Sequence, residues 1–335
     1  MNQYQHKIVS FLSKKESYSH EVSRIEVKET HISWVFLTGK YAYKVKKELK
    51  FGDILDFSTL ALRKKFCQKE LRLNKILCDG MYLDVVKITA EGDSMRLGDL
   101  NAKGRPLEYA VKMLEMPQNC LMKNLVINGK IHNDDICRLG KVLVKFHSKA
   151  STGSRIKSFG TPKIMMKVVA ENFRTLTKQV KVNPLLENKL VTFIKNNERL
   201  FDHRIAQNKI RDIHGDLNLE NIFVVKDKFY LYDRIEFNDI LRYADVAHDV
   251  AHLAMDLDFY QRVDLRKYFV SEYIAKSNDE NLEKVLYFLM CFKASVRAKV
   301  SSFKAKYESD STKRQSQIEE SQRRLELAES YLSLF

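Results

Sequence analysis

The sequence predicts an α+β chain of two lobes. A small antiparallel sheet with one key helix occupies residues 1–116, and a larger, mostly helical lobe occupies 117–335. Three observations predict this. Residues Val22 to about Met116 read as strand-rich with a single helix. Beyond Pro117-Gln118-Asn119, a hinge, the apolar spacing turns helical. Only 11 Gly and 4 Pro occur in 335 residues, too few for long disordered or all-β regions, while 44% hydrophobic and 30% charged residues describe an ordinary globular protein with ample material for a core.

In order along the first lobe, Ile25–Glu29 and Trp34–Thr38 are expected as strands, and Tyr41–Lys47 follows Gly39-Lys40. Glycine first in a two-residue loop is a hairpin signal, because that position needs a positive φ. Asp56-Phe-Ser58-Thr-Leu opens a helix with a polar N-cap, running to about Leu77. Two more strands, Val85–Thr89 and Tyr109–Leu114, are joined through the turn-rich Asn101–Pro106. In the second lobe, Asn133-Asp134-Asp135 caps a helix whose apolar positions Ile136, Leu139, Val142, Leu143 and Phe146 recur at helical spacing. Thr161-Pro162 and Asn183-Pro184 open two more. Asp245 onward is helical again, and the tail from Asp310 is a charge-rich helix.

Composition narrows the class. The amino terminus shows no apolar core of a secretory signal, and the longest candidate membrane run, Val285 to Phe292, is far too short to span a bilayer. A soluble, cytoplasmic protein is expected. Five scattered cysteines with no C-x-x-C pair suit reduced, mostly buried thiols. The net charge of +15 fits either a lysine-rich solvated surface or contact with nucleic acid or an anionic membrane. No clear nucleic-acid motif accompanies the charge.

The most telling stretch is His214-Gly215-Asp216-Leu217-Asn218-Leu219-Glu220-Asn221, followed by Tyr230-Leu231-Tyr232-Asp233. Phosphoryl transfer from ATP asks for one carboxylate to orient the attacking hydroxyl and oxygen ligands for magnesium. Asp216 suits the first task; Asn221 and Asp233 suit the second. The intervening segment reads as two short strands around a polar turn at Lys226-Asp227-Lys228, a hairpin that would return Asp233 beside Asn221. An Asx-rich turn with no chemistry is the plain alternative for this loop.

The first lobe offers an independent test. Ala42 and Lys44 fall on one face of a strand, because strand side chains alternate. A small residue there floors an adenine while the lysine reaches the phosphates. Glu70 falls inside the apolar stripe Phe66, Cys67, Leu73 and Leu77 of the following helix, where an unpaired carboxylate would be costly. Lys44 is its natural partner. Thr30 and Ser33, in the polar turn between the first two strands, are weaker phosphate-contact candidates through hydroxyls and amides. No G-x-x-x-x-G-K-[ST] occurs, which argues against a P-loop nucleotidase.

His248-Asp249-Val250-Ala251-His252 imitates the H-E-x-x-H zinc helix. Aspartate is one methylene shorter than the glutamate such enzymes use, and no third ligand is placed convincingly. Both histidines are better taken as helix residues near the substrate-side cleft.

The HGD loop, with its asparagine and later aspartate, resembles the aminoglycoside phosphotransferase and choline kinase group of kinase-like enzymes, whose loop reads H-G-D-x-x-x-x-N. The A-x-K of Ala42-Tyr43-Lys44 and the stretches Glu29–Gly39, Phe51–Leu60, Phe66–Asn74, Ile235–Asp239 and Leu253–Asp258 are similar to one branch of it, a phosphotransferase-like half fused to a P-loop ATPase half. The resemblance implies a bilobal protein-kinase-like fold and an ATP- and magnesium-dependent transfer of the γ-phosphate to a small-molecule hydroxyl. It assigns Asp216 as the catalytic aspartate and Asn221 with Asp233 as magnesium ligands. Lys44 would contact the α- and β-phosphates, with Glu70 as its ion-pair partner. The chain would then be the kinase-like half alone, with a separate P-loop ATPase as a partner by family analogy. HGD lacks the arginine of H-R-D, Asp233-Arg-Ile-Glu replaces D-F-G and no A-P-E is present, so activation-loop control is missing and a small acceptor is expected. Two other readings stay open: a kinase-like nucleotide-binding regulator without turnover, and a basic RNA- or membrane-binding module. Asp239, Asp245, Asp249, Asp256 and Asp258 could form an acidic wall for a cationic acceptor despite the overall positive charge.

Overall fold

A computed structural model describes residues 3–52, 54–92 and 94–335, without the side chains of Gln3 and Glu91. Asp53, within the Phe51–Leu60 stretch, lies outside the described residues. The chain divides into two compact units: residues 1–120 with 223–239, and residues 121–222 with 240–335.

The first unit opens with α1 (Gln3–Leu12), then β1 (Glu26–Glu29), β2 (Ser33–Leu37) and β3 (Tyr41–Lys46). The short pair β4 (Lys50–Phe51) and β5 (Leu55–Asp56) leads into α2 (Leu60–Asn74), and β6 (Tyr82–Glu91), β7 (Ser94–Gly98) and β8 (Pro106–Leu114) follow. Six strands form one antiparallel sheet in the order β1-β2-β3-β8-β6-β7. The β2–β3 turn holds Gly39 at φ +91, where an added Cβ would lie 2.3 Å from the Ser23 hydroxyl. Alternation splits β3 cleanly. Tyr43 and Val45 join Trp34, Phe36, Ile88 and Ala110 in a core closed by Ile8 and Leu12 of α1. Ala42, Lys44 and Lys46 point the other way, and α2 packs against β8 and β6. The cap of α2 is Thr59, whose hydroxyl accepts from the Leu62 amide at 3.2 Å, and the helix ends at Asn74, short of Leu77.

Strand β7 was not expected from the sequence. It is an edge strand on which only Met95 and Leu97 lean on the core, while Ser94 and Arg96 face solvent. So short and half-exposed a run carries little apolar signal. The hairpin β10 (Ile222–Val225) and β11 (Lys228–Leu231) turns at Lys226 and Asp227, with φ 48 and 62. Two positive φ values in a two-residue loop suit the right-handed twist of the flanking strands.

The second unit carries α3 (Met122–Ile127), α4 (Asn133–Lys149), α5 (Ser154–Lys157), α6 (Pro162–Leu176), α7 (Pro184–Asn196) and α8 (Glu198–Ala206). Strand β9 (Ile210–Asp212) pairs antiparallel with β12 (Tyr243–Asp245), which follows α9 (Asp239–Arg242). Then come α10 (Ala247–Phe259), α11 (Val263–Ser277), α12 (Leu282–Tyr307) and α13 (Ser311–Ser330). Sequence reading passed over α8, which falls between the third predicted helix and the HGD loop. Helix α10 is buried along its length: Val250, Ala251, Leu253, Ala254, Met255 and Leu257 are inaccessible, and Asp249, His252, Asp256 and Asp258 are buried polar residues among them. It packs against α12 and α11, and α12 in turn against α13 and α6. Among the described residues, no helix is long and apolar enough to cross a membrane.

Candidate active site

Within the first unit, strand β3 and helix α2 build a charged core out of alternation and stripe. The Lys44 ammonium donates to Glu70 Oε1 at 2.9 Å and to Asp233 Oδ1 at 2.5 Å. Two residues on, Lys46 donates to Glu70 Oε2 at 2.6 Å and to Glu236 Oε1 at 2.5 Å, with its ammonium 4.8 Å from the Phe57 ring centroid. The chain Asp233–Lys44–Glu70–Lys46–Glu236 therefore alternates acid and base, with Glu70 and Lys46 almost inaccessible to water. Burial alone would push the Glu70 carboxyl up, but Lys44 and Lys46 outweigh it and hold the group well below the usual carboxylate range. Burial likewise opposes the charge on Lys44, yet Asp233 and Glu70 raise its pKa well above the ordinary value. Three carboxylates face two ammoniums, and burial prevails at one end of the row, where the Glu236 carboxyl is raised. Asp233 is the exception to burial, its side chain 41% exposed.

The segment around Asp233 is itself pinned. Asp233 has φ +62, a conformation that side-chain-bearing residues seldom adopt. Its amide donates to the Tyr82 hydroxyl at 3.2 Å, and the next amide, of Arg234, donates to Asn74 Oδ1 at 2.9 Å. Ala42, 5% exposed, shares the Lys44 face of β3. Thr30 and Ser33 close their own turn: the Ser33 amide donates to Thr30 Oγ1 at 2.9 Å, and the two hydroxyls lie 2.9 Å apart.

In the second unit the HGD loop is held from several sides. Asp249 of α10 accepts from the His214 amide at 2.8 Å and the Gly215 amide at 2.9 Å. Lys293 of α12 donates to the Gly215 carbonyl at 3.2 Å, and Asp256 accepts from the Leu219 amide at 2.9 Å. Arg324, from the charge-rich α13, is fully buried and donates to Asp256 at 2.6 Å. Glycine suits position 215, where φ is +90. The Asn221 amide nitrogen donates to the Asp216 carbonyl at 2.8 Å and to its Oδ2 at 3.1 Å, so the side-chain oxygen of Asn221 is not used in either bond. Asp216 keeps its side chain 40% exposed. Such a loop presents one half-exposed carboxylate on a rigid, hydrogen-bonded frame, which is what in-line positioning of a nucleophile requires.

The resemblance to a zinc helix fails on Asp249, whose two oxygens are taken by loop amides and by His147 Nε2 at 3.1 Å. Nor do the five aspartates make an acidic wall. Asp245 pairs with Arg204, Asp256 with Arg324, Asp258 with Arg266 and Tyr331, and Asp239 with Lys69. Lys46 was missed by sequence reasoning, although the strand alternation that places Lys44 puts Lys46 on the same face. Glu236, Lys293 and Arg324 carry no local signal, because their partners come from distant sequence.

The grip of Asp249 on the loop sets a pH dependence. Burial would raise this carboxyl, but His147, His214 and the Gly215 amide lower it from 3.8 to about 2. A folded-state pKa depressed in this way adds stability above the ordinary value that is lost as pH falls through about 2. The unfolding midpoint of Asp249→Asn should therefore be lower than wild type at neutral pH, with the gap closing below pH 3.8. A constant gap across an acid titration followed by circular dichroism would contradict this.

No family model matches the chain. Uncharacterized protein Rv2004c of Mycobacterium tuberculosis is 31% identical over 282 residues, covering 82% of this chain and 54% of the relative, and uncharacterized protein Mb2027c of Mycobacterium bovis gives the same figures. The chain thus spans about half the length of the curated relatives it matches. Solved structures of similar fold include the GDP complex of wild-type aminoglycoside 2′-phosphotransferase-IIIa, with a TM-score of 0.54 and 16% identity over 99% of each chain. Choline kinase from Cryptosporidium parvum gives a TM-score of 0.56 at 10% identity, over 98% of this chain and 96% of that one. The chain has the kinase-like fold of the aminoglycoside phosphotransferases and choline kinases. Plasmodium vivax ethanolamine kinase shares this kinase-like fold as well, with a TM-score of 0.52 and 13% identity over 91% of this chain and 82% of the neighbour. The sheet with α2 and the larger helical part are thus elements of a kinase-like fold, as the resemblance of the HGD loop implies.

Proposed function

We propose that this protein is an ATP- and magnesium-dependent phosphotransferase that moves the γ-phosphate onto a hydroxyl of a small molecule. The observation that carries the reading is the Lys44 ammonium held by both Glu70 and Asp233. A lysine fixed at one end by a buried carboxylate, with a half-exposed carboxylate at the other, is prepared to exchange that second partner for phosphate oxygens. In this reading Lys44 binds the α- and β-phosphates, and Ala42 floors the adenine. Asp233 and the Asn221 carbonyl oxygen hold magnesium, the hard-ligand set that ion prefers. Magnesium, when bound, neutralises charge on the phosphates. Asp216 orients the acceptor hydroxyl and takes its proton as the acceptor oxygen bonds to the γ-phosphorus and the bond to the β–γ bridging oxygen breaks, releasing ADP.

The acceptor is a small hydroxyl compound rather than a polycation, since the aspartates that would have attracted one are neutralised by arginine, lysine and backbone amides. Contact with a separate P-loop ATPase is carried over by family analogy alone. A screen of hydroxyl metabolites for stimulated ATP consumption, with GTP in a parallel arm, tests the activity. We expect at least one neutral or anionic hydroxyl compound to raise ADP release in a magnesium-dependent way. Nucleotide binding without any stimulated release would favour a non-catalytic regulator instead.

A further inference from the structure

Helix α10 presents three polar side chains to the HGD loop at i, i+3 and i+7: Asp249, His252 and Asp256. That spacing puts all three on one stripe of a helix. Asp249 and Asp256 grip loop amides, as described. His252 does something different. It is 1% exposed, and neither ring nitrogen has a hydrogen-bond partner. Its Nδ1 lies 3.8 Å from Asp216 Oδ1, on the oxygen opposite to the one that Asn221 binds. His147, in the same unit, engages both nitrogens, with the Tyr273 hydroxyl at 2.7 Å and with Asp249 at 3.1 Å. A buried imidazole left unpaired is costly and calls for a reason.

The surroundings supply one. Burial, reinforced by Lys293, Arg297 and Arg324, keeps the His252 ring neutral, so it carries one N–H and one lone pair. Facing a carboxylate, a lone pair would be repelled and an N–H attracted. Catalytic hydrogen bonds are often long before substrate binds and tighten in the complex.

We propose that His252 is a positioning residue for Asp216: its Nδ1–H donates to Oδ1 in the substrate complex, so that His252 and Asn221 clamp the carboxylate from both oxygens and aim it at the acceptor hydroxyl. The role rests on reading Asp216 as the catalytic aspartate. It makes a position-specific demand that bulk or packing alone does not. The asparagine Nδ2 superposes on imidazole Nδ1, whereas the glutamine Nε2 superposes on imidazole Nε2.

The test compares His252→Asn, His252→Gln and His252→Phe in the full chain. We expect kcat to fall about 10–100-fold in the Phe and Gln variants, the scale of a misplaced catalytic group, with KM for ATP and acceptor unchanged and with Asn restoring most of the loss. Wild-type kcat in the Phe variant, or equal losses in Asn and Gln, would overturn the proposal. Should the Phe variant fail to fold, the Asn–Gln comparison decides by itself. Independently of turnover, nitrogen NMR of ¹⁵N-histidine-labelled protein should find His252 protonated at Nδ1, with a resonance that shifts in Asp216→Asn. An Nε2-protonated ring indifferent to that substitution would overturn it as well. Wild-type protein without stimulated turnover would instead count against the phosphotransferase reading, while the NMR arm still judges the placement of His252.

Discussion

Replacing Asp216 by asparagine should lower hydroxyl-dependent ATP consumption by about 10²–10⁴-fold, the range contributed by a positioned proton acceptor. The side chain keeps its size and one oxygen, which in the place of Oδ2 still accepts from the Asn221 amide, and the frame set by Asp249, Lys293 and Asp256 is untouched. What disappears is the negative charge and the capacity to take the hydroxyl proton. Nucleotide binding should survive, because Lys44, Glu70 and Asp233 belong to the first unit and do not depend on Asp216. A single-turnover measurement beside a thermal-shift titration separates the two effects. Unchanged turnover would exclude Asp216 from the chemistry.

The largest effect on stability is expected at Glu70. This carboxylate, inaccessible to water, is the shared partner of two buried ammoniums, Lys44 and Lys46. Glu70→Ala leaves both with one carboxylate each, and the row Asp233–Lys44–Glu70–Lys46–Glu236 is cut at its centre. Breaking a buried pair by removing one member costs about 3–5 kcal/mol, because the remaining charge stays desolvated. Urea unfolding should show that loss, accompanied by a weaker response to nucleotide as Lys44 loses its fixed end. Glu70→Gln keeps the shape and one acceptor oxygen for one of the two ammoniums and should lose less than Glu70→Ala. Equal stability of wild type and Glu70→Ala would mean that the charged row is dispensable to the first unit.

How far the sequence led depends on whether a feature is local. Strand alternation put Ala42 and Lys44 on one face, and a polar residue inside an apolar helical stripe singled out Glu70. Helix starts at Thr161-Pro162 and Asn183-Pro184 coincide with observed caps, since a cap is a matter of two or three adjacent residues. Other features were beyond such reasoning. Edge strand β7 buries too little to pattern strongly. The tail helix α13 reads from the sequence only as charge-rich, yet it buries Ser321, Arg324, Leu325 and Ala328. Arg324 reaches an HGD-loop amide through Asp256, a linkage between residues far apart in sequence. Buried ion pairs of this kind follow from tertiary placement and leave no periodic trace. For the same reason the sequence left an acidic wall of the five aspartates open, which their partners close.

In the proposed function, Lys44 is the phosphate-binding cation of a magnesium-nucleotide site. Thermal unfolding with and without Mg-ATP, in wild type and in Lys44→Met, tests that most directly. At a nucleotide concentration of 100 dissociation constants, linkage adds about 2.7 kcal/mol of stability. Wild type should gain about that much, chelation of magnesium should remove most of it, and Lys44→Met should show almost none at the same concentration. An unchanged melting temperature in wild type, or an equal gain in Lys44→Met, would contradict the account.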